Sequence, residues 1–311
     1  MKIFNWIIKD TDIDFLKFRK VGYVLSILLI ITSVISISVK GFNYGIDFSG
    51  GALIEVKSKN GPVDVDNIRK ELSVLKLDEL TLQAVGNTGE QLMIRAQANN
   101  ADEESQRVAL NQIREILGKD FTFERVESVG PQVGDELKLS GILASIFACV
   151  AISLYVWFRF EWRFALGALI GLFHDLLVVV GLLSLAHFEL SLTTIAALLT
   201  LAGYSVNDTV VTYDRIRENL QKFKKMSQYD LLNKSINDIF SRTILTGLTT
   251  MLASVALLAF GGDALRSFAF VITAGVVIGT YSSIYISVAV LNFFDLRKAA
   301  SEEEVNPFGN V

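Results

Sequence analysis

Long apolar runs separated by short polar ones make up most of this chain. Six of the runs are each about the length that crosses ~30 Å of hydrocarbon: Val21–Val39, Leu139–Phe158, Phe164–Ala186, Leu192–Val211, Thr243–Phe260 and Phe268–Phe294. The first run is long for a signal peptide, and no small-residue cleavage site follows it, which favours a retained helix. The pattern therefore predicts an integral membrane protein with six spanning helices.

The segment between the first two runs has the patterns of a folded domain outside the membrane. Apolar residues at Ala52, Ile54 and Val56 alternate with other side chains, which predicts a strand. Later patterns predict, in turn, a helix, two strands, a second helix and a last strand at Phe121–Val129. The order β-α-β-β-α-β is typical of an α+β ferredoxin-like domain. Whether this domain binds a ligand or only spaces other parts stays open.

Lys and Arg residues near the ends of the apolar runs predict the orientation. They are concentrated in the N-terminal segment, after the second and fourth runs, and in the C-terminal tail; the connections His187–Ser191 and Gly261–Ser267 hold one Arg between them. We therefore expect cytoplasmic termini and divide the chain as follows: a cytoplasmic segment (1–20), the first spanning helix (21–40), an outer domain (41–137), helices two to six (138–295) and a cytoplasmic tail (296–311).

Composition supports this picture. Hydrophobic residues make up 51% of the 311 residues, and the mean hydropathy is +0.44. The net charge of -4 is too small to indicate a nucleic-acid partner. Cys149 is the one cysteine, so an internal disulfide is excluded. No spacing of His, Cys, Asp and Glu in the sequence predicts a metal site.

Ionisable residues inside the apolar runs are the candidate functional residues, because such groups are costly in a membrane. Asp175 follows Gly167 and Gly171 at intervals of four, which places it on a face of small residues. Three further sets have similar spacing: Thr200, Tyr204, Asp208 and Thr212; Thr243, Thr246, Gly247, Thr250 and Ser254, preceded by Arg242; and Gly275, Gly279, Ser283 and Ser287. We expect these sides to pack inward and to place Asp175, Asp208 and Arg242 in the interior.

A carboxyl group held in such a place can take up and release a proton. Asn207, beside Asp208, either orients it or hydrogen-bonds to a neighbouring helix. Other interpretations remain open. Asp208 could form a structural ion pair with Arg215, His174 and Asp175 could form a structural junction, and Arg242 could be a cytoplasmic anchor. The segment Tyr213–Ser241 is predicted as a solvated connection, within which Leu231, Leu232, Ile236 and Ile239 form a short surface helix.

Five stretches carry a family resemblance: FNYGIDFSGG (42–51), VGPQVGDEL (129–137), HDLLVVVG (174–181), TIAALLTLAGYSVNDTVVTYDRIREN (194–219) and SINDIFSRTILTGLTT (235–250). Together they resemble the smaller subunit of the SecD/SecF protein-export family, a branch of the resistance-nodulation-division superfamily. The resemblance implies roles in proton passage for Asp208 and Arg242, with Asp175 and Asn207 as further candidates. It also implies a set of signature residues: Gly45, Asp47, Gly50, Gly51, Gly130, Pro131, Gly134 and Gly203.

The resemblance further implies an accessory subunit of the bacterial Sec translocase rather than an enzyme. With SecD, such a subunit uses the proton-motive force, and no bound cofactor, to promote late translocation across the inner membrane. The implied partners are SecD, the SecYEG channel, the polypeptide in transit and membrane lipid, with YajC and YidC as further candidates. The competing readings are half of a proton-driven exporter of small molecules or lipids, and a scaffold without proton chemistry.

Overall fold

The computed structural model describes residues 11–75, 77, 79–85, 89–97 and 103–297. Residues 1–10 of the predicted cytoplasmic segment and residues 298–311 of the predicted tail therefore lie outside the described residues. The helices described are α1 (Arg19–Lys40), α2 (Ile46–Ser49), α3 (Val65–Ser73), α4 (Glu103–Leu117), α5 (Pro131–Arg159), α6 (Trp162–Leu185), α7 (Leu192–Lys222), α8 (Gln228–Phe260), α9 (Asp263–Ser282) and α10 (Ala289–Leu291). The strands are β1 (Asn43–Tyr44), β2 (Gly51–Ser58), β3 (Glu79–Val85), β4 (Gln91–Gln97), β5 (Phe121–Val129) and β6 (Glu189–Leu190).

Six helices in the described part of the chain are long and apolar enough to cross a membrane, as predicted: α1, α5, α6, α7, α8, and α9 with its continuation to Leu291. The outward sides of these helices are apolar; Phe158 on α5, for example, is 85% exposed. Such a surface is costly in water but suits contact with lipid chains. The bundle buries its small and polar sides, including Gly275, Gly279, Ser283 and Ser287 of the last span.

The two long helices α7 and α8 correct one prediction. The segment Tyr213–Ser241 is not mainly a solvated connection, because α7 runs to Lys222 and α8 begins at Gln228. Neither helix contains a proline, so nothing in the backbone stops them at the membrane surface. The side chains of Leu231, Leu232 and Ile236 are buried in the main core of the bundle, together with Phe15 and Leu16 from the turn before α1.

The outer segment folds into a four-stranded antiparallel sheet with two helices. Its elements follow in the predicted order β2-α3-β3-β4-α4-β5, and the strands lie side by side as β3-β4-β2-β5. Asp64 caps α3 by accepting hydrogen bonds from the N–H groups of Asp66 and Asn67. A separate core lies between the sheet and the helices; its fully buried members include Ile54, Val56, Ile94, Leu72 and Ile113.

A small joint connects this domain to the bundle. Strand β1 pairs in parallel with β6, which lies in the connection between α6 and α7. The chain then forms α2 and turns into the sheet at Gly50 and Gly51, whose φ angles of 71° and 111° favour glycine. The sequence predicts the sharp turn at these glycines but not β1, β6 or α2, which are too short to show a period.

Candidate functional site

Asp175 lies in the interior of the bundle, where its side chain is fully buried. The hydroxyl groups of Ser205 on α7 and Ser282 on α9 both donate to its Oδ2, at 2.6 and 2.7 Å. His174 Nδ1 lies 2.9 Å from the other carboxyl oxygen. Both oxygens of Asp175 therefore have partners, and the residue ties α6 to two neighbouring helices.

Small residues explain how α6 and the last span come close enough for these contacts. A side chain at Gly171 would collide with the hydroxyl of Ser287, and a Cβ at Gly279 would lie 3.7 Å from Asp175 Oδ2. Spacings of three and four residues place such positions on one helix face. The prediction of a small-residue face around Asp175 is confirmed.

Asp208 on α7 is half-buried and has fewer partners than Asp175. Thr243 of α8 donates to its Oδ1 at 3.1 Å, and the hydroxyl of Ser283 on the last span also acts on the carboxyl group. Its Oδ2 is buried and has no hydrogen-bond partner among the described residues. Buried polar atoms without a partner are uncommon in folded proteins. Asp208 therefore keeps an acceptor position open inside the bundle.

The two carboxyl groups belong to one polar region. Asp175 is close enough to act electrostatically on Asp208, and Ser205, which binds Asp175, lies one helical turn before Asp208 on α7. Within the described residues, His174 Nε2 and Ser287 Oγ are also buried without a hydrogen-bond partner. The interior between α6, α7, α8 and α9 thus has spare hydrogen-bonding capacity next to both carboxyl groups.

A π-helical segment, Ser283–Val288, continues α9 beside this region. The wider turn leaves the Ser287 carbonyl to accept a hydrogen bond from the fully buried Tyr213 hydroxyl at 2.9 Å. Single π turns within helices are frequent at functional sites. Sequence reasoning missed both features, because no residue type marks a π turn and Tyr213 fell within the predicted connection.

Arg242 does not lie in the interior, so its predicted inward position is wrong. Its side chain is exposed on the surface of α8. It acts electrostatically on Asp208, but within the described residues no ion pair or hydrogen bond joins the two. The alternative ion pair between Asp208 and Arg215 does not form either, because Arg215 pairs with Glu218 and Asp238 at 2.6 and 2.9 Å.

Asn207 faces outward as well, next to Asp208 in the chain but on another side of α7. It belongs to an exposed row of small or polar residues: Ala196, Thr200, Gly203 and Asn207. A Cβ added at Gly203 would meet nothing within 4 Å. The prediction that Thr200 faces the interior with Tyr204, Asp208 and Thr212 is therefore wrong for Thr200, and Asn207 does not orient Asp208 within this chain.

The signature residues lie at the joint between the outer domain and the bundle, away from the carboxyl groups. Asp47 Oδ2 accepts the N–H of Leu192, the first residue of α7, at 2.9 Å. Gly134 packs against the turn, since a Cβ there would lie 3.2 Å from Gly50 N. Gly130 and Pro131 begin α5. Only Gly203 of this set is located elsewhere, on the exposed row of α7.

Comparisons with known proteins agree over most of the chain. The family model for the protein export membrane protein SecD/SecF, C-terminal, matches residues 109–297, and that for the SecD/SecF GG motif matches residues 35–61. The SecF subunit of the protein translocase of Rickettsia rickettsii is 44% identical over 92% of this chain and 93% of its own length. The SecF subunit of Rickettsia prowazekii is also 44% identical, over 92% of both chains.

A solved structure shows the same fold. The crystal structure of SecDF, a translocon-associated membrane protein from Thermus thermophilus, superposes with a TM-score of 0.80 at 35% identity. The match covers 91% of this chain but 39% of the Thermus chain. This protein therefore corresponds to less than half of that solved relative.

The fold and the buried carboxyl groups define a membrane protein with several spans and an ionisable interior. The family models and the curated relatives are more specific: the chain belongs to the SecD/SecF family of protein-export membrane proteins. It is an accessory subunit of the Sec protein translocase. The alternative of an exporter of small molecules is not favoured, because the curated relatives are translocase subunits.

Proposed function

We propose that this subunit, together with SecD, uses the proton-motive force to promote late stages of protein translocation across the bacterial inner membrane. Asp208 is the residue that takes up and releases the proton. The observation that carries the proposal is its Oδ2, which is buried in the bundle without a hydrogen-bond partner among the described residues. A proton bound there changes the charge of the interior without breaking the contact between Oδ1 and Thr243.

The other candidates have distinct roles in this proposal. Asp175 holds α6, α7 and α9 together through its three polar partners and influences Asp208 by its charge. Arg242, exposed on α8, acts on Asp208 electrostatically from outside the bundle.

The energy available is adequate for such a cycle. One charge that crosses ~100 mV releases about 2.3 kcal/mol. A ligand, here a proton, shifts a conformational equilibrium by the difference in its affinity for the two states. The proton-motive force can therefore drive movement of the outer domain if Asp208 binds its proton more tightly in one orientation of that domain than in the other.

SecD is the partner that covers the exposed row on α7. Ala196, Thr200, Gly203 and Asn207 form a narrow face of small and polar residues that lipid chains do not satisfy. Arg242 is exposed on the neighbouring helix α8, and a charged residue facing lipid is costly. The Thermus relative is a SecDF protein of which this chain covers 39%, so a second membrane unit is available to pack on this face. Asn207 then serves the contact with SecD rather than the orientation of Asp208.

In this arrangement the sheet domain is a ferredoxin-like domain in the periplasm, and both termini are cytoplasmic. The interleaved strand order β3-β4-β2-β5 supports the first assignment, and the distribution of Lys and Arg supports the second. The domain meets the emerging polypeptide near the SecYEG channel, with YajC and YidC as further partners. A scaffold without proton chemistry is the competing proposal, and Asp208 distinguishes the two.

The decisive substitution is Asp208→Asn, which keeps the size and the contact with Thr243 but removes the titratable group. We expect this variant to reach the membrane and bind SecD, yet to lose proton-coupled export, measured as processing of preproteins in the periplasm. Asp208→Glu should retain part of the activity. Asp214, about two turns further along α7, forms an exposed pair with Arg159 of α5. Asp214→Asn, which breaks this pair, is the matched control and should export normally.

Full preprotein processing by Asp208→Asn would refute the proton role and favour the scaffold. Loss of SecD binding in the same variant would also count against the proposal, because Asp208 would then act in assembly. Increased sensitivity of a deletion strain to small toxic compounds, with normal export, would support the exporter instead.

A further inference from the structure

The joint between the outer domain and the bundle contains a charged contact between the sheet and the connection from α6 to α7. Arg95, on strand β4 of the sheet, points to the connection between α6 and α7. Its Nη2 lies 2.9 Å from Glu189 Oε2, and its Nη1 donates to the Tyr44 carbonyl at 3.0 Å and to Asn43 Oδ1 at 3.3 Å. One side chain of the sheet thereby reaches both short strands of the joint.

Glu189 is placed to receive this contact. It is the first residue of β6, paired with Asn43 of β1, and its backbone carbonyl accepts the Thr194 hydroxyl of α7 at 2.8 Å. The N–H of Gly45 donates to the Leu190 carbonyl at 2.9 Å. A side chain at Gly45 would collide with the Glu189 carboxylate, so the glycine leaves room for the pair.

The same joint holds the beginning of α7. Leu192 N–H donates to Asp47, and Ser191 caps the helix by accepting the N–H of Thr194. Together with the main-chain pairing of β1 with β6, these contacts attach β1, α2 and β6 to the outer end of α7. The contact from the sheet itself depends on side chains, above all Arg95, and side-chain contacts can form and break while the main-chain joint persists.

Helix α7 also carries Asp208, sixteen residues after Leu192, or about 24 Å along the helix axis. The joint therefore lies at the start of α7 and the proposed proton site near its middle, and one continuous helix connects them. We propose that Arg95 and Glu189 are positioning residues whose ion pair couples the orientation of the outer domain to α7. This inference rests on the proposed function, since it supplies the connection through which a change at Asp208 reaches the outer domain.

The electrostatics of the joint suit a contact that can be broken. Burial raises the pKa of Glu189, while the nearby Arg95 and Arg125 lower it and Asp47 raises it. These are the charged groups that face Glu189 from the sheet and from α2. Because Arg95 opposes the effect of burial, loss of the ion pair should raise the pKa of Glu189 further.

The main test is a charge exchange. Arg95→Gln and Glu189→Gln should each reduce export driven by the proton gradient by roughly two- to thirty-fold, the range that single contacts contribute to coupling. Export driven by ATP alone, in inverted membrane vesicles, should not change. The double variant R95E/E189R should recover most of the loss. Lys57→Gln, which breaks an exposed pair with Glu90 elsewhere on the sheet, is the matched control and should behave as wild type.

A second readout follows the charge directly. In infrared spectra of the purified complex with SecD, the band that Glu189→Gln removes should titrate at higher pH in Arg95→Gln than in wild type. The contribution of Glu189 to folding stability is then greatest at low pH and falls as the pH rises through its raised pKa. This titration shows whether Arg95 and Glu189 form the ion pair in the assembled complex, and the gradient-driven export of the variants shows whether the pair couples the outer domain to α7.

Three results would overturn the inference: single variants that keep full gradient-driven export, a charge exchange that recovers nothing although the chain accumulates, or an unchanged titration. If a single variant fails to accumulate, export by the double variant decides. Loss of export in Asp208→Asn combined with normal export in the Arg95 and Glu189 variants would leave the proposed function standing and reject only the coupling.

Discussion

Two buried carboxyl groups in one bundle have different surroundings, and these surroundings suggest different tasks. Asp175 has polar partners on both oxygens, from residues of α6, α7 and α9. Asp208 accepts a hydrogen bond from Thr243 and lies near the Ser283 hydroxyl, and its Oδ2 has no regular hydrogen bond among the described residues. A fully bonded carboxyl group stabilises one arrangement of helices, whereas a partly bonded one can change its protonation state at lower cost.

Substitutions at Asp175 test this difference. Asp175→Asn keeps an acceptor for the hydroxyls of Ser205 and Ser282, so we expect a small loss of stability. Asp175→Leu leaves the Ser205 hydroxyl without an acceptor, whereas Ser282 still donates to the Gly279 carbonyl; an unsatisfied buried group costs about 1–3 kcal/mol. Thermal unfolding of the purified chain in detergent should show a much lower midpoint for the Leu variant. Asp208→Leu, which removes a single contact, is the comparison and should lie between wild type and Asp175→Leu; equal midpoints for the two Asp175 variants would contradict the assignment.

At the scale of elements, periodic patterns predict what is long and regular. The six spans, the strand and helix order of the outer domain and the small-residue face of α6 all follow from spacing in the sequence. The pattern does not predict that α7 runs to Lys222 and that α8 begins at Gln228, because polar residues at those positions indicate a loop. The buried side of α8 is narrow there and consists of Leu231, Leu232 and Ile236. Burial of these side chains is enough for the helix to continue among charged residues.

The position of a residue around a helix could be predicted only where a whole face is small or apolar. Gly171 and Asp175 share such a face and lie inside, as expected. Arg242 and Thr200 follow the same spacing rule, yet they lie outside. A polar stripe does not reveal whether it faces the chain's own helices or those of another subunit, since both require the same residues.

Two glycines on these helices should respond differently to substitution. A Cβ at Gly181 of α6 would overlap the backbone and side chain of Ser33 on α1, so Gly181→Ala should push the two helices apart. Overpacking of this kind costs about 1–3 kcal/mol. Gly203→Ala, with open space around it, should raise the unfolding midpoint of the isolated chain slightly, because alanine is the better helix former. A larger loss for Gly203→Ala than for Gly181→Ala would show that the packing is wrong.

At the scale of the whole molecule, a membrane bundle and a separate sheet domain meet at one small joint. The two have independent cores, so the domain can change orientation without repacking the bundle. This arrangement predicts that the outer domain and the α7–α8 connection lie on opposite sides of the membrane. This separation is required if protons are to cross while the outer domain moves.

Cysteine labelling tests the topology in a Cys149→Ala background. Asn60→Cys, on an exposed turn of the outer domain, should react with a membrane-impermeant maleimide in cells whose outer membrane alone is opened. Lys225→Cys, exposed between α7 and α8, should react only after the inner membrane is disrupted. Labelling of both sites from the same side would contradict the predicted orientation.

The most direct test of proton-driven export uses proteoliposomes that contain the Sec channel, SecD and this subunit. Translocation of a preprotein is started with ATP, and its completion is then measured with and without a proton gradient. We predict that the gradient accelerates completion with the wild-type chain, partly with Asp208→Glu and not at all with Asp208→Asn. Equal acceleration by the gradient with Asp208→Asn would show that the carboxyl group at this position does not carry the proton.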